Sequence, residues 1–221
     1  MKYRLYLSLI FAVLNVCCLQ AQGLLSEKMI FTQQDTLRGS VTPERIWWDL
    51  TYYHLELEVV PDEKFITGKN TITYKVLSEY QTLQVDLQAP LTITKVTQDG
   101  KKLDVVHLGN AHFVQLVKKQ EIGNSESIIV HYQGNPKEAI NAPWDGGFSW
   151  KKDNNGNHFV ATSCQGLGAS VWWPCKDHMY DEVENMDISV TVPSNLMDIS
   201  NGKLKGIVDH GATKTYHWTV K

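Results

Sequence analysis

From Tyr53 onward the chain alternates. Tyr53, Leu55, Leu57 and Val59 are apolar while His54, Glu56 and Glu58 between them are polar. A period of two puts one set on a core face and the other in water. Pro61-Asp62-Glu63-Lys64 reads as a turn, and Ile72, Tyr74 and Val76 resume the alternation after Gly68, which predicts a hairpin. The rhythm continues through Leu83, Val85 and Leu87, then through Leu91, Ile93 and Val96 to Asp99-Gly100, a pair suited to the positive φ angles of a tight turn. His112 to Val117 and Ser127 to Tyr132 are two more short β-forming runs. Asn154-Asn155-Gly156-Asn157 makes a turn between Phe148 to Lys152 and His158 to Thr162. Met186, Ile188, Val190 and Val192 alternate up to Pro193, and Tyr216 to Val220 reads as a final strand. Short strands divided by frequent turn signals predict an all-β fold, a sandwich or a curved multi-sheet domain, and no repeat of fixed period occurs.

The first twenty or so residues read differently. Lys2 and Arg4 precede an apolar stretch from Leu5 to Cys18, and Leu19-Gln20-Ala21 ends in a small residue. Residues 1–21 are therefore expected to be a signal peptide and the protein to be exported, periplasmic or secreted. The apolar stretch is shorter than the roughly 20 residues of a spanning helix. Cys17 is the residue a lipid would occupy in the alternative reading, against which Val16 counts. A membrane partner is expected only through such a lipid or an uncleaved signal. Residues 22–46 are expected to form a polar linker or ordered arm without a core of its own, and residues 47–221 the β domain. The net charge of −3 is spread among interspersed acids and bases, so no basic stripe marks a nucleic-acid surface. Beyond the signal only Cys164 and Cys175 remain. An exported compartment permits a disulfide, the spacing does not require one, and two free buried thiols are the expectation. Trp218-Thr219-Val220-Lys221 stops in mid-pattern, which gives the expectation of a truncated domain.

Two stretches carry the most specific pattern: Thr162-Ser163-Cys164-Gln165-Gly166, and Trp172-Trp173-Pro174-Cys175-Lys176-Asp177 followed by the alternating strand Met186 to Pro193. With the first hairpin, Tyr52 to Val59 and Phe65 to Ile72, they resemble the N-terminal domain of the aminopeptidase N family of zinc metallopeptidases. The resemblance covers Trp47 to Lys221. It implies a saddle-shaped all-β module leaning over an active site in another domain, with a peptide N-terminus and that zinc-binding domain as partners. It also implies that Gln165 helps hold the substrate's free amino group or lines its first side-chain pocket. Such relatives often carry a second Gln where this chain has Ser163, and often an Arg where it has Gly168-Ala169-Ser170-Val171. Ser163 is therefore the altered member of the implied amine-binding set. An amide oxygen can accept from an ammonium without itself titrating, while an ordinary loop amide bonds to nearby backbone.

The chemistry absent from the sequence is equally informative. No His-Glu-x-x-His occurs, and His54-Leu55-Glu56 and His178 to Glu184 fail its spacing. Val183-Glu184-Asn185-Met186 only echoes the composition of a Gly-x-Met-Glu-Asn segment, and the sequence shows no Ser or Cys nucleophile motif, phosphate-binding glycine loop or paired-carboxylate site. No metal or cofactor is expected in this chain, and zinc only in the missing catalytic domain, so the chain alone is expected to be inactive as a peptidase. The competing reading is a secreted β module binding a glycan, peptide or protein through Trp47, Trp48, Trp172 and Trp173. Asp177 is expected to stabilise a turn, or else to pair with His178.

Overall fold

The structure is a computed structural model that describes residues 30–221, so the export segment expected over residues 1–21 lies outside the described residues. The compact unit Gln34–Lys221 holds the β domain. Two short helices, α1 (Gln33–Gly39) and α2 (Pro43–Ile46), precede it. Twelve strands follow: β1 (Trp48–Val60), β2 (Phe65–Val76), β3 (Thr82–Asp86), β4 (Thr92–Gln98), β5 (Lys101–Leu108), β6 (Ala111–Gln115), β7 (Ser125–Gly134), β8 (Gly147–Lys152), β9 (His158–Ser163), β10 (Asn185–Pro193), β11 (Lys203–Asp209) and β12 (Thr213–Val220). Ten of them form one sheet in the order β11-β12-β10-β1-β2-β7-β4-β5-β6-β3, and β8-β9 is a separate hairpin. The fold is all-β, as the alternation predicts.

The sheet curls because β5 serves two neighbours. Its first residues pair with β4 through Val96↔Leu103, and its later ones with β6 through Val105↔Val114. One apolar cluster accordingly contains Ile72 and Ile128 from the middle of the sheet together with Leu83 and Val114 from its end. The predicted turns have the backbone they need: Asp99 and Gly100 both take positive φ, at 49° and 76°, and Lys64 closes the first hairpin at φ 50°.

Three features differ from the sequence reading. Strands β5 and β11 carry no clear alternation, because each buries at most one residue well and its pairing comes from the backbone ladder. Strand β10 joins β1 in parallel, the one parallel pairing among the described strands, with Glu56 beside Ser189. Strand β3 is covered on both faces, so Gln84 and Asp86, polar positions in an alternating run, are buried alongside Leu83 and Val85. The arm over residues 34–46 has no core of its own, yet it supplies Arg45, which is fully buried.

The tryptophans form packing contacts. Trp47 and Trp48 are 1% and 0% exposed, and their indole N–H groups donate to the Thr82 and Glu44 carbonyls. Trp173 is buried edge-on against Tyr53, and Trp172 is half-buried between Phe148 and Trp173. No open platform is formed by these four rings.

Gly68 sits on β2 where an added Cβ would collide with the backbone carbonyl of Glu56 on β1. Backbone in the middle of a sheet cannot step aside. Gly68→Val is expected to cost about 1–3 kcal/mol of stability, read as a lower urea midpoint at unchanged m-value.

Candidate functional site

The loop between β9 and β10 carries the residues singled out in the sequence, and its backbone is fastened along most of its length. Ser163 at its start donates its hydroxyl to the Asp145 carbonyl at 2.7 Å. The Cys164 carbonyl accepts from the N–H groups of Leu167 and Gly168, closing a tight turn over Gln165 and Gly166. Gly166 and Gly168 take φ of 69° and 77°, and at Gly168 the Asp177 carboxylate fills the space a Cβ would need. Arg38 donates to the Gly166 carbonyl at 3.0 Å, and Gln88 donates to the Leu167 carbonyl and the Ser170 hydroxyl at 2.6 and 2.8 Å. Asn70 holds the Pro174 carbonyl at 2.9 Å. Asp86 and Cys175 exchange both backbone hydrogen bonds, at 2.8 and 3.1 Å, which docks the loop on the edge of β3. Between these fastenings Gln165 is exposed, and its side-chain amide makes no hydrogen bond with the described residues.

Two buried cations stand under the loop. Arg45 meets the Asp86 carboxylate at 2.5 Å and also donates to the carbonyls of Leu37, Arg38 and Ser40 at 2.8–3.0 Å. Asp86 accepts further bonds from Gln84 and from the Asp177 N–H. Burial pushes the Asp86 carboxyl up, and Arg45, Gln84 and Asp177 draw it back only in part. Lys176 is enclosed between the Trp48 ring, 3.8 Å away, the Trp48 carbonyl at 2.7 Å, the Asp181 carboxylate and the Tyr180 ring at 4.7 Å. Burial lowers its pKa to about 8 despite the Asp181 partner. Tyr53 accepts from the Lys176 N–H, and Tyr180 donates to the Arg45 carbonyl, so both cations share one framework.

Asp177 is a turn carboxylate, accepting from the hydroxyl and N–H of Ser170 at 2.5 and 3.4 Å. It does not pair with His178, whose ring instead lies 3.2 Å from the Gly39 carbonyl. Both cysteines are free: Cys175 is buried as expected, but Cys164 is exposed. Burial raises the pKa of the Cys175 thiol well above its ordinary value. Sequence reasoning brought out Gln165 and Ser163 but missed Arg45, Asp86 and Lys176. Arg45 stands in the arm, Asp86 at an outward position of an alternating run and Lys176 in a loop, so each reads as an ordinary surface charge, and only the meeting of three distant segments removes it from water. Beside Ser163, the segment tied by Asp145 exposes Ile140 and Trp144, and Met179 is exposed on the loop itself. Among the described residues no three His, Cys, Asp or Glu side chains converge to hold a metal ion, and no helix is long and apolar enough to cross a membrane.

Residues 50–221 match the peptidase M1 N-terminal domain. Among solved structures, the M1 zinc metallopeptidase from Deinococcus radiodurans is similar at 21% identity and a TM-score of 0.66, over 80% of this chain and 39% of that one. A point mutant of that enzyme bound to a Tyr-Ser-Ala substrate gives 21% identity and 0.65, over 80% and 40% of the two chains. A two-domain M1 zinc metallopeptidase mutant bound to L-arginine gives 22% and 0.66, again over 80% and 40%. These likenesses establish a shared fold, and the chain spans about two fifths of the length of the proteins compared. No curated protein sequence matches it.

Asp86→Ala is expected to lower stability by about 3–5 kcal/mol in urea melts, because Arg45 is left charged, buried and without its carboxylate. Lys176 gives a pH dependence of defined sign. Its folded pKa of about 8 lies below the unfolded value of 10.5, so between these pH values the unfolded chain holds a proton that the folded chain has released, and stability rises with pH. From pH 8 to pH 9 the Lys176 contribution alone is expected to rise by about 1 kcal/mol, while the thiols of the unfolded chain, with ordinary pKa values of about 8.5, ionise over the same interval and oppose it. The Lys176 contribution is read as a difference: the change in urea-derived unfolding free energy from pH 8 to pH 9 should be more positive in the wild type than in Lys176→Met by about 1 kcal/mol.

Proposed function

This chain belongs to the peptidase M1 N-terminal domain family, and we propose that it is the non-catalytic β domain of an exported zinc aminopeptidase, in which Gln165 contacts the free amino group of the substrate. Zinc and the water-activating Glu would be held by a catalytic domain joined to it, and this domain would shape the end of the groove that receives the peptide N-terminus. Export through residues 1–21 is part of the same proposal.

The observation that carries the reading is the contrast between backbone and side chain at Gln165. The backbone on either side is held by Ser163, the Cys164 carbonyl and Arg38, while the amide itself is exposed and unspent. Its oxygen is free to accept from an ammonium and, because an amide does not titrate, it would do so at any physiological pH. Ser163 differs in burial: it is half-buried and gives its hydroxyl hydrogen to the Asp145 carbonyl, so only its oxygen lone pairs remain, whereas the Gln165 amide is exposed. Of the two residues expected to touch substrate, we therefore assign the contact to Gln165 and a supporting role to Ser163. Exposed Ile140, Trp144 and Met179 offer apolar area beside the loop for the neighbouring domain. The tryptophan-binding alternative has no comparable support, because Trp47, Trp48 and Trp173 are buried.

In a polypeptide carrying both this domain and its catalytic domain, Gln165→Ala is expected to reduce kcat/KM for peptides with a free N-terminus by about tenfold to a hundredfold, the worth of one hydrogen bond to a charged group. The thermal midpoint should not move. Ser163→Ala is expected to lower stability by about 1 kcal/mol and leave KM unchanged. An unaltered kcat/KM in Gln165→Ala would remove the substrate contact from the proposal.

A further inference from the structure

The polar face of the sheet carries a second arrangement, unrelated to the Gln165 loop. Register aligns His131 on β7, Lys69 on β2, Glu56 on β1, Ser189 on β10 and His217 on β12 in one row across five strands. A groove of about 400 Å³ lies over this row. At its floor Ser189, 8% exposed, has its hydroxyl oxygen 3.1 Å from His54 Nε2 and 2.9 Å from His217 Nδ1.

The donor and acceptor roles in this chain follow from the tautomers of the two rings. One hydroxyl has one hydrogen, so with both rings neutral one imidazole accepts from Ser189 and the other donates to it. Glu56 Oε2 lies 4.0 Å from His54 Nδ1, on the far side of that ring from Ser189. At that distance the carboxylate forms no hydrogen bond, but its negative charge favours the tautomer with the hydrogen on Nδ1. Nε2 of His54 is then the unprotonated nitrogen, Ser189 donates to it, and His217 donates its Nδ1–H to the serine oxygen. Lys69 holds the same Glu56 oxygen at 2.9 Å, which fixes the carboxylate beside His54. A hydroxyl that donates to an imidazole backed by a carboxylate, while a second donor steadies its oxygen, has the connectivity of an activated nucleophile.

We propose that Ser189 is a nucleophile toward small acyl esters, with His54 as its general base, Glu56 as the charge behind His54, and His217 as a donor to the reacting oxygen. Ser189 Oγ bonds to the ester carbonyl carbon as its proton passes to His54 Nε2. The tetrahedral adduct collapses by breaking the carbon–oxygen bond to the alcohol, which leaves with that proton. Water, deprotonated by His54, then releases the carboxylic acid and restores the Ser189 hydroxyl. Lys69, which also lines the groove, supplies positive charge for the oxyanion. This activity is separate from peptidase chemistry and needs no second domain.

The test uses the chain itself and an alkyl fluorophosphonate, which forms a serine–phosphorus bond and expels fluoride. The expected result is one adduct per folded chain by intact mass, mapped to Ser189, lost when the chain is unfolded in urea and absent in Ser189→Ala. His54→Gln is expected to slow labelling by about a hundredfold, the lower end of a general-base contribution. Turnover of p-nitrophenyl acetate should fall in parallel. No adduct on the folded wild type, an adduct elsewhere, or an undiminished rate in a folded His54→Gln protein would each overturn the proposal. These readouts do not depend on Ser189→Ala folding.

Discussion

Asp86 closes the edge strand β3, and three parts of the chain meet at its carboxylate. Arg45 arrives from the arm, Gln84 from the same strand and the Asp177 N–H from the loop, while the Asp86 backbone pairs with Cys175. An ion pair removed from water gains little over apolar packing unless its remaining hydrogen-bonding capacity is used. Here it is largely used: Arg45 also satisfies three carbonyls at the end of α1, and only its Nε is left without a partner. Those carbonyls lie where a helix has none of its own donors left. The same guanidinium therefore ends the helix, covers one end of the sheet and fixes the loop. A buried charge set of this kind gives specificity of position more than raw stability, because no other register of arm, strand and loop would pair every member.

That fixed position is what the role proposed for Gln165 requires. A side chain that is to recognise an ammonium must be held near its working geometry before substrate arrives, or part of the binding energy is lost in ordering it. The loop meets this requirement through its backbone rather than through the amide. Two positive-φ glycines, the Cys164 carbonyl, Arg38 and Gln88 define the path of the chain, and Lys176 fastens the far end against Trp48 and Asp181. Had the Gln165 amide oxygen accepted from nearby backbone, a common fate of a loop amide, that acceptor would have been shared with the backbone before any ligand arrived.

The strands were legible where one face met the core and the other met water. Tyr53 to Val59, Ile72 to Val76 and Met186 to Val192 alternate for that reason, and all three runs lie in the sheet. The signal disappears at both ends of the range of burial. In β11 nearly every residue is exposed and nothing selects its side chains, whereas in β3 both faces are covered and polar residues stand in the interior. The Cys164 to Asp177 block revealed the loop that matters, but not that Arg45 and Asp86 hold it, since 41 positions separate that pair and a local pattern cannot register it. Cys164 illustrates the same limit: a small apolar residue reads as core, yet its place on the turn leaves it in solvent.

The alternation that builds the core also decides what the opposite face can do. Every apolar residue sent inward from β1, β10 and β12 sends a polar neighbour outward, and register then aligns those neighbours across strands without any proximity in sequence. Glu56 reaches Ser189 only because β10 joins β1 in parallel, and Ser189 reaches His217 only because β12 turns back on β10. A shift of one residue in either pairing would send Ser189 or His217 to the core face and break the row while also unmaking the packing of Leu55, Ile188 and Tyr216. Fold and surface chemistry are thus fixed by one register: the apolar side chains enforce it, and the Ser189 row is held in place by the same pairing at no further conformational cost.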